Sequence, residues 1–120
     1  MNGISLKQLD DESLIKRFAY TADKLGNAIN LWESGVKETN QLFAITDEIR
    51  ARGSQTERKL LPLLDSENRF VRYYAAQRLL LFAPDRCRRI IKENAQQRDA
   101  MAGDAGMFLY LLDKGVSKTV

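Results

Sequence analysis

The chain has 120 residues, enough for one domain that buries a core without staples. Hydrophobic residues at 44% and charged residues at 29% argue against a disordered chain, while only two prolines and seven glycines argue against a strand-and-turn architecture. No stretch approaches the roughly 18 apolar residues of a membrane span, and the net charge of +3 is uneven, with an excess over residues 69–93 that is modest beside dedicated nucleic-acid binders.

The opening MNGISLKQLDDESL lacks a basic segment followed by an apolar one, so no secretory leader is expected. A single cysteine, Cys87, excludes an internal disulfide, and the expected compartment is the cytoplasm. Leu14, Phe18, Ala22, Leu25, Ile29 and Trp32 recur at intervals of 4, 4, 3, 4 and 3, predicting a helix from about Asp11 to about Trp32 with all six on its core face. Asp10, Asp11 and Glu12 suit its positive end. Gly26 falls inside this pattern, where a small residue either permits close approach by a neighbour or breaks the helix; the period continues past it and favours continuity.

Gly35 marks a turn, and Val36, Leu42, Phe43, Ile45 and Ile49 supply the apolar side of a second helix that Gly53 ends. Ser54 and Glu57 have capping-box spacing at the start of a third, and Pro62 within the leucines at 60–64 is expected to kink or shorten it. Asp65, Ser66, Glu67 and Asn68 form a polar turn, with Asn68 the expected cap of a fourth helix bearing Val71, Ala75, Leu79 and Phe82. Ala76, Leu80 and Leu81 make its other side apolar too, so this helix is expected at the centre. Pro84 suits the first turn of a fifth helix, which directs Cys87, Ile90, Ile91 and Ala95 inward and Arg86, Arg88, Arg89 and Lys92 outward. A sixth, from about Ala100, carries Met101, Ala105, Phe108 and Leu112; Gly115 stops it and VSKTV should fray. The expected fold is all-α, a single domain of antiparallel helical hairpins at about residues 10–53, 54–83 and 84–115.

At LLPLLDSENRFVRYYAAQRLL the chain resembles a HEAT repeat, a helix and short acidic turn followed by a helix bearing Val71, Arg72, Ala75 and Ala76. The resemblance implies a short HEAT-like solenoid in which the two alanines admit the paired helix and Arg72 braces the turn at Asp65 or its neighbours. Arg69 departs from the pattern, since such repeats often carry proline there. Leu14, Phe18, Gly26, Ala28, Gly35, Asn40, Phe43, Ile49, Arg52 and Gly53 also resemble a small bacterial family of HEAT-like domains known only as a domain of unknown function. That family brings no assigned activity, and the likeness of some such domains to toxin-immunity proteins is an analogy.

The absence of histidine removes the commonest general base and most transition-metal sites. Carboxylate neighbours such as Asp10 with Asp11 and Asp47 with Glu48 point apart on a helix, so no catalytic dyad is expected, and with no CxxC, GxxxxGK(S/T) or GxGxxG motif no metal or cofactor is expected either. Residues 69–93 hold seven basic and two acidic residues. Arg69, Tyr73, Arg86, Arg88, Arg89 and Lys92 are therefore the candidate partner surface, with Asp65, Arg72, Ala75 and Ala76 structural. Arg78 is expected to lay its stem over the apolar face. The leading reading is a non-catalytic protein-interaction module of immunity or adaptor type with an unidentified protein partner. The alternative is a nucleic-acid-binding accessory domain, and homodimerisation through an end of the stack is a further expectation.

Overall fold

Six α-helices and two short 3-10 helices make up the computed structural model, which describes residues 5–115 and contains no strand among them. The fraying expected of residues 116–120 lies outside that range. Helix α1 (Asp11–Asn30) starts where an Asp10 carboxylate oxygen accepts the Ser13 amide at 2.8 Å. It runs unbroken through Gly26, where a Cβ would lie 2.1 Å from Cγ of Phe70. The glycine thus seats that ring directly against the α1 backbone.

The stripe ends sooner than its period predicts. The amide of Glu33 bonds to the carbonyl of Ala28 and that of Trp32 to Ile29, both at 2.9 Å, which is the six-to-one and five-to-two pattern of a Schellman close. Trp32 occupies the left-handed position of this motif at φ 61°, where glycine is favoured. The reversal swings its indole out of the stripe, so Trp32 is 84% exposed and not the core residue that the spacing suggested.

Helix α2 (Val36–Ala51) follows Gly35 and buries Leu42, Ile45, Thr46 and Ile49. Val36 and Phe43, expected on its inner side, are 60% and 56% exposed. Phe43 is turned about 100° from Leu42 and lies off the buried stripe. At the C-terminus of α2, Arg52 donates to Glu48 at 2.9 Å, to Asp11 at 2.8 Å and to the Leu6 carbonyl at 3.0 Å. Asp11 also accepts from Lys59 at 2.8 Å and Thr56 at 3.2 Å, so one carboxylate ties α1 to both sides of the α2 turn.

Helix α3 (Ser54–Arg58) is a short one, capped by Gly53 at φ 105° with no side-chain hydrogen bond. The Ser54–Glu57 capping box therefore does not form, because Ser54 is already inside the helix. Past Lys59 the chain tightens into a 3-10 helix, Leu61–Asp65, with Pro62 in its first turn. Helix α4 (Arg69–Arg78) is capped by Asn68, whose side-chain oxygen accepts the amides of Phe70 at 2.9 Å and Val71 at 3.2 Å. It buries Val71, Tyr73, Tyr74, Ala75 and Ala76 and packs against α1, α5 and the 3-10 helix, the central place expected of it. It stops at Arg78, short of Phe82, so Leu79 and Leu80 reach the core from a turn and Leu81 points to solvent. Helices α5 (Pro84–Ala95) and α6 (Ala100–Asp113) close the fold as a packed pair. Among the described residues no helix is long and apolar enough to cross a membrane.

Candidate functional site

The basic segment does not assemble into one free surface. Arg69 lies across the starts of α4 and α6: it donates to Asn94 at 2.9 Å and grips Asp99 with both terminal nitrogens, one of these contacts at 3.2 Å. Asp99 also accepts the Ala102 amide at 3.1 Å and the Asn30 side chain at 3.2 Å, and Asn30 in turn accepts the Met101 amide at 2.9 Å. Arg69 chiefly, by hydrogen bonding, holds the Asp99 carboxyl below its ordinary range. Arg69 is thus a brace, and the outward-facing role expected of it is corrected by this carboxylate, which lies 30 residues away in sequence.

Tyr73 is corrected as well. It is fully buried, and its phenol donates to Asp104 at 2.6 Å. Burial first, then the Asp104 charge, pushes its pKa up. Arg86 pairs with Asp65 and Arg88 with Asp113, the latter at 2.9 Å, whereas Arg89 and Lys92 make no ion pair among the described residues. Arg72 donates to the Ser66 carbonyl at 2.7 Å, bracing the turn beside Asp65, and Ala75 and Ala76 are fully buried where the helices meet. Cys87 is buried in the core, and burial pushes its thiol up to about 11. Asp10 caps α1 while Asp11 turns to Arg52 and Lys59, so these neighbouring carboxylates serve different partners. Among the described residues no cluster of histidine, cysteine or carboxylate side chains could hold a metal ion.

A different surface converges. Helices α2 and α6 each pack on α1 but barely touch one another, leaving a groove of about 270 Å³ between them. Leu25 and Ile29 of α1 and Tyr74, Gln77 and Arg78 of α4 line its floor. Thr39, Phe43 and Thr46 form the α2 wall, and Asp104, Met107, Phe108 and Leu111 the α6 wall. These are spacings of three and four, one face of each helix. Phe43 and Met107, on opposite walls, are 56% and 60% exposed. Ile29 and Asp104 also line the shallow hollow beside Trp32, so the exposed indole stands at the end of the groove.

Arg78 is the unusual member. Its side chain is half-buried, and among the described residues it makes no hydrogen bond or ion pair. Desolvation is the largest effect on it and, with the Arg50 charge, lowers its pKa; the charges of Asp47 and Glu57 act the other way. A larger hollow of about 510 Å³ lies between α1 and α2 beside Leu6, but its charged lining residue, Arg17, is exposed, so it offers no comparable half-buried charge.

The groove was visible in the sequence only as a surplus. Phe43 and Met107 are large apolar residues that fall outside the buried stripes of their helices. A stripe needs only about three or four residues per two turns, so such extra side chains signal a second apolar face.

The chain is similar over almost its whole length to a solved protein, in the crystal structure of the protein RPA1889 from Rhodopseudomonas palustris CGA009. The two are 32% identical, 97% of this chain and 98% of that chain are covered, and the TM-score is 0.76. No curated protein matches the chain. A family model described as Domain of unknown function (DUF2019) matches residues 12–113.

Proposed function

Because the chain belongs to this DUF2019 family, whose description carries no activity, its own surface has to supply the functional reading, and we propose a non-catalytic protein-interaction module that binds through the α2/α6 groove. One observation carries the reading: an apolar groove flanked by Phe43 and Met107, each more than half exposed, with Trp32 standing at its end. Exposed apolar clusters of this kind mark interaction sites, and aromatic residues are over-represented among the contacts that dominate binding. The left-handed Trp32 strengthens it, since a bulky residue in that conformation is held at a cost that surface position alone does not repay.

A HEAT-like stack is the finer architectural reading. Its support is the packing of α1 on α2, of the 3-10 helix on α4 and of α5 on α6, with α4 touching both flanking pairs. In such a stack the second helices α2, α4 and α6 share one face, and all three contribute lining residues to the groove. An immunity or adaptor role is the biological form that this reading takes, in the cytoplasm. Nucleic-acid binding through residues 69–92 has less support, because Arg69, Arg86 and Arg88 already face carboxylates.

The test is a photo-crosslinking residue at position 107, used in the cells that make the protein, with and without Phe43→Asp. A reproducible crosslinked protein that disappears with Phe43→Asp is expected. A second copy as the captured partner would point to a homodimer through this face, whereas no crosslink at all, or one indifferent to Phe43→Asp, would overturn the reading.

A further inference from the structure

We propose that the groove receives an amphipathic helix of a partner protein that carries a carboxylate among its apolar side chains, seated against Arg78. This rests on the docking reading above and adds the chemistry of the occupant. Arg78 has five donors in a fixed fork, yet among the described residues none of them meets an acceptor within the protein. Every other arginine of the 69–88 run bonds to a carboxylate or a carbonyl. A half-buried guanidinium without a partner is costly in isolation, and a carboxylate delivered by the occupant relieves that cost with paired, charge-assisted hydrogen bonds. The site is therefore complementary in charge to an acid, and in surface to apolar neighbours flanking it.

A helix fits better than a small acid. Phe43 and Met107 rise on opposite walls and remain more than half exposed, so a ligand confined to about 270 Å³ would leave both wet. A helix is about 10–12 Å across with its side chains, enough to cover both rims while one side chain descends to the floor. Asp104 on the α6 wall already accepts from the Tyr73 phenol, so Arg78 is the charged lining group whose hydrogen-bonding atoms have no partner among the described residues.

The experiment selects binders to the whole chain from a displayed library of helix-forming peptides of about 16 residues, then measures the enriched sequences as free peptides by fluorescence anisotropy. The expected peptides carry Asp or Glu with apolar residues three or four positions to either side, and Phe43→Asp abolishes their binding. Arg78→Met should weaken them by about tenfold to a hundredfold. Changing the peptide's acid to its amide should produce a similar loss on the wild-type protein and little further loss on Arg78→Met. The peptide-side change leaves the protein untouched, so it decides the matter even if Arg78→Met folds poorly. Peptides that need Phe43 but ignore both Arg78→Met and the loss of their acid would overturn the carboxylate pairing while leaving the docking groove intact. Failure to enrich any peptide that Phe43→Asp displaces would overturn the groove reading and this inference with it.

Discussion

Replacing Trp32 with glycine separates two readings of the same residue by sign and size. If the indole completed the α1 stripe in the core, its removal would cost about 3–5 kcal/mol. The structure gives another sum. At 84% exposure only about one sixth of the side chain is shielded, and about 40 Å² of a side chain near 250 Å² is worth about 1 kcal/mol. Glycine adds an unfolded-state entropy penalty of about 0.5–1 kcal/mol. Against these losses stands the relief of a non-glycine residue at φ 61°, worth about 1–2 kcal/mol. The terms nearly cancel, so stability should stay within about 1 kcal/mol of wild type. A chain of this length has an unfolding entropy that converts 1 kcal/mol into about 4 °C. Thermal and urea unfolding followed by circular dichroism should therefore show a midpoint within about 4 °C of wild type. Binding of a crosslinked or selected partner should fall although stability does not. A drop of more than about 10 °C would mean that the indole packs in the core, and the reading of Trp32 as a binding anchor would fail.

Two further outcomes follow from the packing and the charges. Gly26→Ala adds a methyl 2.1 Å from the Phe70 ring, so overpacking of about 3 kcal/mol should outweigh a helix-propensity gain of about 1, leaving a net loss near 2 kcal/mol in urea unfolding. Gly106→Ala, with no atom within 4 Å of its added methyl, should instead stabilise by about 0.5–1 kcal/mol, and equal effects at the two positions would refute the close approach. Asp11 has its carboxyl lowered from 3.8 to about 2, first by Lys59 and then by Arg52 and Thr56. The unfolded chain therefore binds the proton more readily, so this contribution to stability is complete above about pH 4 and disappears as pH falls through about 2. Urea midpoints should fall over that window in the wild type and fall less steeply in Asp11→Asn; parallel slopes would remove Asp11 from the acid response.

The helices were legible because a stripe, a cap and a glycine are local signals. The α1 stripe, the Asn68 cap and Pro84 at the start of α5 needed only neighbours within one or two turns to act. Arg72 was readable for the same reason, since its acceptor Ser66 is six residues away. Arg69 was not, because Asp99 lies 30 residues further on and arrives only when α6 docks. Tyr73 likewise looked like a surface aromatic beside arginines until Asp104, on another helix, buried its hydroxyl.

By itself the amino-acid order determined an all-helical chain, the central place of α4 and the buried thiol of Cys87, since hydrophobic period and capping chemistry act within each segment. Tertiary structure alone decided which charges are satisfied and which are left over. The pairing of a guanidinium depends on carboxylates brought together by helix packing across tens of residues, and no periodicity encodes that distance. By that physical reason Arg69, Arg86 and Arg88, the evident cations, face carboxylates. Arg78, inconspicuous in its apolar run, is the half-buried guanidinium that the packing leaves without a partner among the described residues, in a groove between two helices that barely touch.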